Sequence, residues 1–163
     1  MTAPKPTRDE LLRVFAVAIW AKVGAFALFL TRHEKARLKE SIGSDIRKAC
    51  DLLATVEVSE AAHEEATRLD IDLRTKGWHD QHGFDRGREL FHFEHIIPVG
   101  AICTAAIAQT SVQGVLQVLR TNLRVVWILK SEDRELTRLG YRSKRVDPDA
   151  AYRAAGIHLR VTQ

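Results

Sequence analysis

The sequence predicts an α+β fold that is mostly α, and three observations carry that expectation. Most of the first half reads as apolar stretches at helical spacing. The segment 89–95 is an aromatic run and 123–129 is rich in β-branched and aromatic residues, and both fall in the second half. A helix start at Glu132-Asp133-Arg134 follows the second of them directly. The expected organisation is one domain over 1–163. It comprises a helical scaffold (1–77), a hairpin-plus-helix core (88–140), and a C-terminal helix and tail (141–163).

The bounds are those of an ordinary globular chain. Its 163 residues suit one core, with 45% hydrophobic and 28% charged residues. A net charge of +4 and a pI near 9.3 are compatible with a polyanionic partner without requiring one. Cys50 and Cys103 have neither CxxC nor zinc-finger spacing, and each falls in an apolar helical pattern. Buried free thiols in a reducing cytoplasm are the expected state.

The elements follow in order. Asp9 and Glu10 open a first helix over about 9–30, or through the charged run to Glu40. Its apolar run, 14–30, is nearly long enough for a membrane span but is broken by Lys22. It reads as a helix buried on most sides, in the core or in a homodimer interface, rather than as a membrane anchor. Gly43-Ser44 predicts a break, with Ser44 capping a second helix that carries Ile46, Cys50 and Leu53. Ser59 caps a third helix expected to reach Gly77, and His33 and His63 sit on polar faces. Glycines and polar residues make 78–87 a loop.

The first strand, 89–95, is closed by Pro98. A short helix over 101–109 and another after Ser111, with Val115, Leu116 and Leu119 inward, lead to an interruption at Thr121-Asn122. The second strand is 123–129. Ser131 is expected to cap the following helix, which Gly140 ends, and Asp147-Pro148 places a cap and an N1 proline before a last helix.

Polar residues collect at the junctions of the second half. Glu94 and His95 end the first strand in Glu94-His95-Ile96-Ile97-Pro98, Asn122 precedes the second strand, and Glu132-Asp133 open the helix. His95 is a proton acceptor near neutral pH, and a neighbouring carboxylate suits a hard divalent cation. This order resembles the HNH, or His-Me finger (ββα-metal), endonucleases over about 45 residues, from Leu90 to Arg134. That resemblance implies a hairpin and helix clasped around one divalent metal, with an acid-His-Ile/Val-Pro strand end and a central Asn, here Asn122. The family's last functional His or Asn, in the helix, has no counterpart in this chain, where Asp133 or Glu132 would substitute.

The resemblance implies a metal-dependent endonuclease that hydrolyses phosphodiester bonds, in DNA ahead of RNA. His95 would be the general base, and Asn122 would orient its ring or tie down the loop. Glu94, with Asp133 or Glu132, would hold Mg²⁺ or Mn²⁺ beside the scissile phosphate. Zinc is a lesser alternative, because the cysteines are distant and His92 and His95, three apart on a strand, face opposite ways. His92 and Glu94 do share a face, so His92 could instead neighbour Glu94. Arg134, Arg138, Arg142, Lys144 and Arg145 form a basic cluster with one acid, Glu135, and would hold the nucleic-acid backbone without reading sequence. Two other classes stand beside this one. The first is a catalytically degenerate HNH-like nucleic-acid-binding or regulatory protein, which the absent helical His or Asn favours. The second is a helical interaction protein that uses the 14–30 helix.

Overall fold

The computed structural model describes residues 5–26, 28 and 31–160. In chain order they form α1 (Arg8–Ala25), α2 (Arg32–Leu53), β1 (Thr55–Val58) and α3 (Glu60–Arg68). Two 3₁₀ turns (Leu73–Thr75 and Trp78–Asp80) and a one-turn α4 (Gln81–Phe84) precede β2 (Phe91–His95). Then come α5 (Val99–Ile107), α6 (Val112–Asn122), β3 (Arg124–Leu129), α7 (Lys130–Arg138) and α8 (Pro148–Ala154). The class is the expected one, mostly helical with one small sheet. The elements gather into two compact units, Met1–Leu53 with Val99–Leu123, and Ala54–Pro98 with Arg124–Gln163.

The first unit is helical and contains α1, α2, α5 and α6. Thr7 and Glu10 cap α1 reciprocally, and Leu12, Ala16, Ile19 and Val23 form its buried stripe. Val14, Val17 and Leu28 are exposed, so the apolar run is buried along one stripe rather than on most sides. Ala27, Phe29 and Leu30, at the end of that run, lie outside the described residues. Among the described residues no helix is long and apolar enough to cross a membrane.

The expected break at Gly43-Ser44 does not occur. α2 starts after Thr31, whose hydroxyl and N–H exchange bonds with Glu34, and it runs unbroken through Gly43. Glycine weakens a helix by only about 1 kcal/mol. Here the buried stripe Ile42, Ile46, Ala49, Cys50 and Leu53 continues across it, and packing carries the helix through. Ser111 caps α6 as expected, and Arg120 of α6 forms a forked pair with Asp9 of α1.

The second unit holds the sheet, in the order β1-β3-β2. β1 runs parallel to β3, with Thr55 opposite Arg124, and β2 runs antiparallel to β3, with Phe91 opposite Leu129 and His95 opposite Val125. β1 was not expected from the sequence. α3 is capped by Ser59 but ends at Arg68, well short of Gly77. Asp70 takes a left-handed turn (φ 57°), and the Ile71 N–H closes back onto the Ala66 carbonyl. α7 begins two residues earlier than Ser131 would cap it, with Leu129 at the cap position. Its Glu132 side chain reaches back to accept the Leu129 N–H at 2.7 Å. Asp147 caps α8 and Pro148 opens it, as expected.

Strand alternation divides this unit's interior in two. One sheet face packs Phe91, Phe93 and Trp127 with Val58, Ala62, Ala66 and Leu73. The other packs Val126 and Ile128 with Leu136 of α7, Tyr152 of α8 and Ile157. The second face carries the polar residues of β2.

Candidate metal centre

The sequence Phe91-His-Phe-Glu-His95 is half-buried on a strand, so its even-numbered residues project together. His92 and Glu94 thus stand on the α7 side of the sheet. α7 leaves β3 without a loop, which puts its first turn over these two side chains. His92 Nε2 lies 3.0 Å from Glu94 Oε2 and 3.6 Å from Asp133 Oδ1. One ligand atom from each of His92, Glu94 and Asp133 falls within 4.8 Å of the others. All three side chains are partly accessible.

Two cations brace this cluster. Lys130 Nζ sits 3.1 Å from His92 Nδ1. The Arg145 guanidinium is buried and spends its donors inside the protein. Nε bonds Tyr141 O at 2.6 Å, Nη1 bonds His95 O at 2.8 Å and Ile96 O at 3.2 Å, and Nη2 bonds the Glu94 carboxylate. Burial pushes the Glu94 carboxyl up, but the His92 bond and the Arg145 charge outweigh it and hold it below the usual range. Arg145 also lies over the Tyr152 ring, 5.5 Å from its centroid. The Tyr152 hydroxyl is buried without a hydrogen-bond partner among the described residues, and burial together with the Glu94 charge pushes its ionisation up.

Of the expected metal ligands, Glu94 and Asp133 are brought together and Glu132 is not. Its carboxylate is engaged by the Leu129 N–H and the Ser59 hydroxyl, each at 2.7 Å, which ties α7 to the start of α3. His95 is next to Glu94 in sequence, but alternation turns it to the Phe91 and Phe93 face. Its carbonyl is held by Arg145. Asn122 ends α6 and donates to the Val118 carbonyl of its own helix at 2.8 Å. The imidazole that completes the cluster is His92, and its two-residue spacing from Glu94 is the signal that could have found it.

The basic cluster separates as well. Arg134, Arg142 and Lys144 are exposed, and Arg138 is exposed but paired with Glu135. Arg145 is not a surface cation at all, with an accessibility of 8%. It organises the site from within.

One imidazole nitrogen and two carboxylate oxygens suit a divalent first-row ion or Mg²⁺. Separations of 3.0 and 3.6 Å are close to those between adjacent ligands about 2.1 Å from a common ion. The donor set therefore suits a single divalent cation, which would supply Lewis-acid activation of water or of a phosphoryl oxygen. No family model, no curated protein and no solved structure matches this chain.

Proposed function

We propose that the chain is a metal-dependent phosphodiester hydrolase, an endonuclease acting on DNA ahead of RNA, with His92, Glu94 and Asp133 holding one Mg²⁺ or Mn²⁺. The observation that supports it is the convergence of these three side chains on the antiparallel strand pair β2 and β3, the second of which runs directly into a helix. Zinc remains a lesser alternative, because the donor set is dominated by oxygen. Exposed Arg134, Arg142 and Lys144 on and after α7 would contact phosphates. In this reading His92 ligates, and His95 serves as base only where water reaches it around the edge of β2. The two free, buried thiols suit a reducing cytoplasmic setting. Exposed Val14 and Val17 on α1 would suit a second copy of the chain.

The test is nicking of supercoiled plasmid with Mg²⁺ or Mn²⁺, with an EDTA control. His92→Ala and Asp133→Ala should abolish nicking. His95→Ala should abolish it only if His95 is the base. An inert wild-type protein under both metals overturns the reading.

One observation favours a second reading, a non-catalytic nucleic-acid-binding domain. Lys130 and Arg145 already balance the charges of Glu94 and Asp133. That reading expects salt-dependent DNA binding that is indifferent to EDTA.

A further inference from the structure

His92 has two ring nitrogens, and each has a partner. Nε2 meets the Glu94 carboxylate at 3.0 Å, and Nδ1 meets the Lys130 ammonium at 3.1 Å. An ammonium has three donors and no acceptor. Its contact with Nδ1 requires a lone pair there. The proton of the neutral ring is then on Nε2, where Glu94 accepts it. A divalent ion held by His92, Glu94 and Asp133 would need that Nε2 lone pair instead. The ring proton would move to Nδ1 and point at an ammonium that can offer it nothing. Lys130 and the metal cannot both be satisfied by His92.

Charge acts in the same direction. Glu94 and Asp133 contribute two negative charges, and Arg145 and Lys130 contribute two positive ones. Arg145 is buried and fixed by backbone carbonyls. Lys130 is the first residue of α7, on a four-carbon stem with rotational freedom, and is the cation able to leave. Once displaced it remains beside the metal cluster as an unpaired point charge. That is what a phosphate recruits.

Resting on the metal reading above, we propose that Lys130 and a divalent cation are alternative partners of His92, and that metal binding releases Lys130 to a substrate phosphate. The exchange neither gains nor loses a proton. The imidazole proton passes from Nε2 to Nδ1, and the lysine leaves with its three. Lys130 is thus a positioning residue that makes phosphate capture conditional on metal.

Lys130→Met in the full chain tests this with three readouts besides cleavage. Nitrogen-15 NMR of metal-free wild type should show His92 protonated on Nε2, moving to Nδ1 with saturating Mg²⁺. Protonation on Nδ1 without metal overturns the proposal. Mn²⁺ calorimetry should be run at about 1 M salt, where the screening length is about 3 Å and remote charge effects fade. There Lys130→Met should bind about threefold to tenfold more tightly, the worth of one net hydrogen bond. Equal affinities overturn the proposal and leave the metal reading standing, whereas absence of Mn²⁺ binding by either protein removes both. Mg²⁺ should tighten binding of a duplex oligonucleotide by wild type and not by Lys130→Met. An equal response in the two overturns the phosphate role.

Discussion

The two faces of β2 are built from five consecutive residues and behave as different materials. Phe91 and Phe93 join Trp127 in an aromatic layer, with ring centroids of Phe93 and Trp127 4.7 Å apart. His92 and Glu94, one residue out of step, join Lys130, Asp133 and Arg145 in a network of charges. A period of two is enough to place a core and a polar centre within a strand's thickness of each other. The aromatic face gains from area removed from water, whereas the charged face must satisfy each group individually. Stability should therefore depend on volume on one side and on pairing on the other.

The largest effect is expected on the aromatic side. Trp127 is fully buried, and its indole N–H donates to the Lys76 carbonyl at 3.1 Å. Trp127→Ala should cost about 3–5 kcal/mol in chemical denaturation. A loss under about 1 kcal/mol would mean that the aromatic layer is not the core of this unit.

On the charged side the strongest test is Arg145→Ala, which removes the partner of Glu94 and the donors to the Tyr141, His95 and Ile96 carbonyls. The expected loss is about 3 kcal/mol, with Glu94→Gln in the same background recovering part of it. Recovery by the second substitution is the mark of pairing, since restored volume could not produce it.

Acid should act on the charged groups alone. Asp85 accepts bonds from the Glu89, Leu90 and Phe91 N–H groups and from Gln81. Burial pushes its carboxyl up, but these bonds outweigh it and leave it below the usual range, as for Glu94. Both groups are easier to protonate when unfolded. Their stabilisation is complete above the unfolded values, in the normal carboxylate range, and is lost as pH falls through the lower folded values. Denaturation midpoints should fall below about pH 4. Asp85→Asn should flatten that decline, and an unchanged acid profile would exclude Asp85 from it.

The smallest stability effect is expected at Asp133. Asp133→Asn relieves a crowd of carboxylates and should change folding by less than about 0.5 kcal/mol while lowering Mn²⁺ affinity at least about tenfold. Calorimetry on the folded variant checks both halves, and undiminished Mn²⁺ affinity would remove Asp133 from the metal set.

The contrast also explains what could be read from sequence. β2, β3, the α6 cap and the α8 cap were legible, because alternation, Ser111 and Asp147-Pro148 act locally. β1 was not, since Thr-Val-Glu-Val is four residues long and gains its identity only by pairing beside β3. Gly43-Ser44 read as a break because local propensity cannot see the buried stripe that runs past it. At the site, the acidic strand end and Asp133 were legible. Arg145 was not, because an arginine in a basic run looks solvated until the fold buries it. The sequence places His92 on the same face as Glu94, which by itself makes it only a neighbour of that carboxylate. What raises it to a candidate ligand is a helix 38 residues further along the chain.

The outer margin of β2 has a consequence for how the molecule keeps to itself. With Leu90, His92, Glu94 and Ile96 turned toward β3, the main-chain groups of Phe91, Phe93 and His95 face outward. Asp85 accepts from the Phe91 N–H, Gln81 donates to the Phe91 carbonyl, and Arg145 donates to the His95 carbonyl. A strand from another molecule would have to displace these side chains before it could form a continuous ladder. The residue that steadies Glu94 therefore also guards against runaway sheet growth, and Arg145→Ala should be prone to form fibrils as well as less stable.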